Sequence, residues 1–207
     1  MKSLKNKLLL AVVLTLLLGC SKEVKKFTFV PFPSQAGQNP SNKVTRKVGE
    51  GLLFDLVFLD KSDWDAYFSK LGPEAVAYAD FLKKIPKTKV FFLFEIEIRN
   101  QTKYQVLFNP VNAFIQSNAG KWPAYNLSDL MMEDGFAIPP INQFKDYFFD
   151  SEIYLQPGEK KKRALLFKWP FEEYSDLTLT LHDIYINGKS YDLKQPYAKT
   201  EIPDNDK

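Results

Sequence analysis

Apolar and polar residues alternate in several runs after residue 50, and this alternation predicts β-strands. The clearest run is VFFLFEIEIRN, residues 90–100, in which four apolar side chains would face one side of a sheet and Glu95, Glu97 and Arg99 the other. Further strands are predicted in the run that begins at Leu52 and at 105–108, 113–116, 152–155, 163–169, 177–181, 184–186 and 191–193.

Turn residues separate these runs. Asn187-Gly188 predicts a β-hairpin, because both residue types accept a positive φ, and Pro157-Gly158 predicts a second turn. Short strands at this spacing indicate a mainly β fold, and more specifically a β-sandwich.

A helical pattern interrupts the strands over about residues 61–85, where we expect a two-helix insertion between early strands. The first apolar stripe, at i, i+3, i+4 and i+7, consists of Trp64, Tyr67, Phe68 and Leu71. Gly72 would end this helix, Pro73 would begin the second, and Pro86 would close it. We expect the two helices to cap one end of the sandwich; the alternative is that their apolar stripes pack on another protein.

The N-terminal residues follow the pattern of a secretory signal. Three lysines precede an apolar run at 8–18, and Gly19 and Cys20 follow it directly. A run of about eleven residues is too short to cross a bilayer, which takes about twenty.

The sequence Leu17-Leu18-Gly19-Cys20 resembles the lipobox of bacterial lipoproteins. The resemblance implies that the Cys20 thiol carries a diacylglyceryl group and that the chain is cleaved between Gly19 and Cys20. The protein would then be held on the membrane by its lipid, and Ser21 after the cysteine points to the outer membrane of the cell envelope. The alternatives are a buried structural cysteine or an uncleaved anchor.

These features divide the chain into a signal peptide at 1–19, the lipidated Cys20 with a flexible tether at 20–45, a β-sandwich domain at 46–197 and a tail at 198–207. The tether prediction rests on Pro31 and Pro33, which interrupt a strand, and on the polar residues that follow them. Alternatively, the aromatic cluster at 27–32 lies at the lipid interface or adds an edge strand.

Two further segments resemble the immunoglobulin-like domains of bacterial lipoproteins of unassigned function. They are FEIEIRNQTKYQVLFNPVNAFIQSNAGKWPAY, which begins at Phe94, and LQPGEKKKRALLFKWPFEEYSDLTLTL, which begins at Leu155. The residues that carry this likeness have structural rather than catalytic roles, such as forming the turn at Pro157-Gly158. It implies an immunoglobulin-like sandwich in the cell envelope and implies no activity.

Charge gives no reason to propose a nucleic-acid partner. The chain has 28 basic and 25 acidic residues, and removal of Lys2, Lys5 and Lys7 with the signal leaves 28 − 3 = 25 of each. The basic run at 159–163, EKKKR, would protect a strand edge or, alternatively, contact lipid phosphates.

No catalytic or metal-binding pattern stands out. His182 is the only histidine, no Gly-x-Ser-x-Gly is present, and one histidine with a lipidated cysteine cannot complete a zinc shell. We therefore expect no enzyme activity, no cofactor and no metal. Glu95 and Glu97 share a strand face and would be the acid–base pair of a cell-wall hydrolase, although a solvated face balanced by Arg99 and lysines is the favoured interpretation.

Aromatic residues cluster in a loop-like region rich in Asp and Lys, as interface hot spots do. The candidate partner-binding residues are Phe144, Tyr147, Phe148 and Phe149. We expect part of this segment to be exposed, although a loop folded back on its own sandwich fits the pattern too. The sequence thus predicts a non-catalytic binding or structural module with an envelope protein partner; the alternatives are a carrier of an apolar ligand and the hydrolase.

Overall fold

The computed structural model describes residues 27–32, 42–60, 63–73, 75–76, 90–125, 146–149, 151–169 and 176–201. Thr28–Thr200 form one compact unit, and the two terminal segments form the other, of which only Phe27 and Glu201 are described. The strands are β1 Phe27–Pro31, β2 Lys43–Val48, β3 Leu52–Leu59, β4 Val90–Asn100, β5 Val106–Phe108, β6 Phe114–Ser117, β7 Gly120–Pro123, β8 Ile153–Leu155, β9 Lys160–Trp169, β10 Asp176–Ile186 and β11 Lys189–Glu201. One α-helix, α1 (Trp64–Leu71), and a 3₁₀ turn at Pro110–Asn112 complete the described elements.

The larger sheet has seven of the described strands, in the order β1-β11-β10-β5-β8, with β6 beside β10 and β7 beside β6. The predicted Asn187-Gly188 hairpin is confirmed: it joins β10 to β11, with φ values of 49° and 72°. The runs predicted at 177–181 and 184–186 are parts of one strand, β10, whose register shifts between Leu181 and Ile184. The two residues between them form a bulge, so that Leu181 and Ile184 both face the core.

The smaller sheet has four of the described strands, in the antiparallel order β2-β3-β4-β9. The alternation predicted for residues 90–100 is confirmed, because Phe94, Ile96 and Ile98 are buried in the main core. The fold is therefore mainly β, with two antiparallel sheets and one described helix.

Side chains of both sheets meet in one core, as in a β-sandwich. Phe54 of β3 packs edge-to-face on Phe108 of β5, and Phe94 of β4 packs on Tyr197 of β11. Such aromatic pairs contribute about 0.5–1.5 kcal/mol beyond the area that they bury.

A second apolar cluster lies on the outer face of the smaller sheet. Trp64 and Phe68 of α1 pack there with Leu93, Ala164 and other outward-facing residues of β4 and β9. The predicted stripe is confirmed, since Trp64, Tyr67 and Phe68 are buried and Leu71 is partly buried. The expected position at one end of the sandwich is wrong for α1, because its apolar stripe covers a sheet face. Most of the second predicted helix lies outside the described residues.

The N-terminal strands correct the predicted tether. Phe27–Pro31 forms β1, which pairs with β11, and Phe29 is buried against Phe58 and Phe92. Pro31 is tolerated because β1 lies at the edge of the described sheet. At the other side of the predicted tether, β2 begins at Lys43, and β11 runs to Glu201 into the predicted tail.

Candidate functional site

The aromatic segment singled out by the sequence lies partly in the core. Phe148 and Phe149 are 2% and 5% exposed, so the expectation that they face a partner is wrong for these two residues. The backbone explains this burial: Tyr147 O accepts from Ala164 N and Phe149 N donates to Ala164 O, both at 2.8 Å. Phe148 therefore enters the cluster around α1, while Phe149 packs on Phe108 in the main core. Tyr147 is half-buried, and Phe144 lies outside the described residues.

The carboxylates on the outer face of the smaller sheet form ion pairs with basic side chains. Glu95 binds Lys162 across the strands, with Oε1 and Nζ 2.7 Å apart, and Glu97 lies 3.7 Å from Arg99 Nε. The face is thus balanced by Arg99 and a cross-strand lysine, which is the favoured interpretation of the sequence.

Asp55 is the centre of this charged face. Its carboxylate accepts hydrogen bonds from Thr45 at 2.6 Å and Arg99 at 2.9 Å, and Lys43 lies 3.2 Å away. Burial raises the pKa of Asp55, but the Thr45 and Lys43 hydrogen bonds and the charges of Lys43 and Arg99 outweigh it and lower that pKa below its ordinary value. This arrangement holds strands together and leaves the carboxylate little capacity for proton transfer.

The β10 bulge brings His182 to Asp192, with Nδ1 and Oδ1 2.7 Å apart. Asp183, with a φ of 54°, accepts a hydrogen bond from Asn112 at 2.7 Å. The His182 ring packs on Phe114, whose own ring lies under Lys121. Among the described residues, no group of three or more His, Cys, Asp or Glu side chains could hold a metal ion.

A cleft of about 500 Å³ lies at one end of the two sheets. Three connections converge there: the β2–β3 turn, the segment after β4, and the β10–β11 hairpin. We call this end of the sheets the loop end. The cleft is lined by Glu50, Gln101, Thr102, Lys103, Tyr104, Ile186, Asn187, Lys189 and Tyr191.

Three charged side chains of the cleft, unlike those of the sheet face, are not held in ion pairs among the described residues. Glu50, Lys103 and Lys189 make no ion pair with any residue that the structure describes. Lys103 instead lies over the Tyr104 ring, 5.3 Å from its centre. Hydrogen-bonding capacity therefore remains for a ligand.

An aromatic row crosses the outer face of the larger sheet beside the cleft. Leu107 of β5 lies opposite both Tyr185 of β10 and Tyr154 of β8, so the three side chains share one face. Tyr154 is 52% and Tyr185 39% exposed. Two carboxylates lie close to this row: Asp183 Oδ1 is 3.5 Å from the Tyr185 hydroxyl, and Glu152 precedes Tyr154 by two residues.

Thr28 marks the opposite end of the sheets. Its hydroxyl donates to Asp60, which follows directly after β3, whereas the loop end lies where β3 begins. Burial and the charge of Asp63 raise the pKa of Asp60, while the Thr28 hydrogen bond opposes them.

Gly19 and Cys20 lie outside the described residues. No helix in the described parts of the chain has the length and apolar character needed to cross a membrane. The sequence did not single out the cleft or the aromatic row as sites, because their residues were assigned to turns and strands. The alternation does contain one signal, since it places Tyr154 and Tyr185 on the outward face.

Comparison of the chain with protein-family models and with curated proteins found no match.

Proposed function

We propose that the protein is a lipid-anchored lipoprotein of the bacterial cell envelope whose immunoglobulin-like sandwich is a non-catalytic binding module. The lipobox-like sequence ending at Cys20 supports the anchor and the outer membrane as its location. The two facing antiparallel sheets and the turns at Pro157-Gly158 and Asn187-Gly188 support the immunoglobulin-like fold.

The position of Thr28 is the main support for this proposal, because it indicates which end of the sheets lies near the anchor. This residue lies at the end of the sheets opposite to the cleft, and only residues 21–26 separate Cys20 from β1. Seven residue steps span at most about 25 Å, so the end with Thr28 stays close to the membrane. β4 has 11 residues, which corresponds to a sheet length of roughly 35 Å, so the loop end is the end of the sheets farther from the anchor.

This orientation also bears on the EKKKR run. β9 begins at Lys160, opposite Arg99 and near the loop end. Contact between these lysines and the anchoring membrane is therefore disfavoured, and protection of a strand end is the better interpretation.

The aromatic row is the surface proposed for a protein partner. Tyrosines are enriched at interface hot spots because they combine a large apolar area with a polar group. The two nearby carboxylates favour a partner segment that carries Arg or Lys beside apolar residues. The envelope partner predicted from the sequence is thus assigned to Tyr154, Leu107 and Tyr185 in place of Phe148 and Phe149.

The two alternatives have less support. A carrier of an apolar ligand needs an internal cavity, whereas the described space between the sheets is filled by interlocking aromatic rings around Phe58, Phe94 and Phe108. A hydrolase needs a carboxylate that is available for proton transfer, whereas Glu95 is held by Lys162 and Glu97 lies 3.7 Å from Arg99 Nε.

Cross-linking in intact membranes, followed by affinity enrichment and mass spectrometry, tests this function. The double variant Tyr154→Ser and Tyr185→Ser is expected to lose at least tenfold of the captured partner. Phe32→Ser, which removes a different exposed aromatic side chain, is the control and should retain it. Equal capture by the double variant, or no protein captured above background, would contradict the proposal.

A further inference from the structure

Unpaired lysines accumulate at the loop end. Along the outer face of the smaller sheet, Lys43 and Arg99 bind Asp55, Lys162 binds Glu95, and Arg163 binds Asp146. The lysines at or beside the loop end that have no carboxylate partner among the described residues are Lys47, Lys103, Lys160, Lys161 and Lys189. A concentration of uncompensated positive charge attracts anions and raises their local concentration.

The shape and lining of the cleft restrict the kind of anion. A cleft of about 500 Å³ has the size of a small-molecule site. Its lining consists mainly of lysines, amides and one carboxylate, with Thr102 and the partly buried Tyr104 and Tyr191, and its one aliphatic side chain, Ile186, is buried. Such a lining suits a ligand that presents many polar groups and little apolar surface.

Glu50 distinguishes between two anionic ligands. A carboxylate repels the anionic groups of either ligand, but it accepts hydrogen bonds from hydroxyl groups, which a saccharide presents and acidic side chains lack. Gln101 and Asn187 both donate and accept, which also suits hydroxyl groups. We propose that the cleft binds an anionic saccharide, with Lys103 and Lys189 contacting its carboxylate or phosphate groups and Glu50 accepting from its hydroxyl groups.

The cleft and the aromatic row are different sites, so the saccharide and the protein partner would bind independently. That the saccharide belongs to the cell envelope rests on the proposed function. The anchor and the cleft are tested by different readouts. Loss of lipidation at Cys20 would overturn the envelope location, whereas the binding measured below depends on the cleft alone.

Binding of the purified full chain in detergent to carboxymethyl-dextran and dextran phosphate, measured by calorimetry against unmodified dextran of equal length, tests the site. We expect both anionic polymers to bind at least tenfold more tightly than neutral dextran, with affinity falling as salt is raised. The double variant Lys103→Ala and Lys189→Ala should lose at least tenfold in affinity, while Lys103→Arg and Lys189→Arg together should retain it.

The control is Lys70→Ala with Lys194→Ala, which removes the same charge at exposed positions outside the cleft. Equal losses in the two alanine pairs would mean that net charge alone binds the polymer, and would overturn the proposal. Tighter binding to polyglutamate or to phosphatidylglycerol vesicles than to the anionic dextrans would overturn it in favour of an acidic peptide or a lipid surface. Absence of binding to both anionic dextrans would overturn it as well.

Discussion

Arg46 of β2 donates a hydrogen bond from Nε to Oε1 of Gln195 in β11, at 2.6 Å, and so connects an edge of the smaller sheet to the larger one. Gln195 is fully buried, and its Nε2 donates to the carbonyls of Phe32 and Pro196. One side chain thereby joins both sheets to the chain at the end of β1. Residues 28–32, within the predicted tether, are thus part of the folded unit.

Replacement of Gln195 by Ala should destabilise the protein by about 2–4 kcal/mol, because it removes the hydrogen bond of Arg46 Nε and the two that Gln195 Nε2 donates to the carbonyls of Phe32 and Pro196. Urea unfolding measures this loss. Gln105→Ala, at an exposed position, is the control and should change the unfolding free energy by less than about 0.5 kcal/mol. Equal effects of the two substitutions would show that the connection between the sheets adds no stability.

Phe68→Ala should cost about 3–5 kcal/mol, because the side chain is fully buried between α1 and the smaller sheet. Thermal unfolding with a far-UV signal is the measurement. Ser69→Ala, at an exposed position of the same helix, should leave the midpoint almost unchanged. If Phe68→Ala were as stable as the wild type, the outer cluster could not be the packing that holds α1.

Asp55→Asn should destabilise the protein at neutral pH and much less in acid. The folded-state pKa of Asp55 is lowered, so the unfolded chain binds the proton more tightly than the folded one. The stabilisation is therefore fully present above a pH of about 4, the unfolded-state pKa, and is lost as the pH falls through the folded-state pKa. Urea unfolding of wild type and variant between pH 2.5 and 7 (roughly the range across which carboxylates titrate) measures the difference, and a difference independent of pH would contradict this role.

Asp60→Asn should show the opposite pH dependence. Because the folded-state pKa of Asp60 is raised, the stability linked to its protonation is fully present below the unfolded-state pKa of about 4 and is lost as the pH rises through the folded-state pKa. The same unfolding series should therefore show the variant gaining stability relative to the wild type as the pH rises. A relative loss over that window would exclude burial as the dominant influence on this carboxyl.

The sequence predicts the strands well where side chains alternate or where a turn has a specific backbone requirement. The buried face of β4 follows from Phe94, Ile96 and Ile98, and the β10–β11 hairpin follows from Asn187-Gly188. Both signals are local, because each depends only on residues close together in the chain.

The remaining features depend on contacts between distant residues. Because Pro31 argues against a strand, the sequence pattern alone does not predict β1. The position of β1 depends on its pairing with β11, which is distant in the sequence. Aromatic residues such as Phe148 and Phe149 occur both in exposed loops and in buried ones, so composition does not predict their burial. The backbone hydrogen bonds to Ala164 place them in the core. The cleft forms only when three connections meet at the loop end, so no single stretch of sequence contains it.

Mass spectrometry of the N-terminal peptide, from protein extracted from membranes, is the decisive test of the lipid anchor. We expect a peptide that begins at Cys20 and carries the added mass of a diacylglyceryl group on the thiol. A free Cys20 thiol, or a peptide that retains residues 1–19, would contradict the lipid anchor and the orientation derived from it.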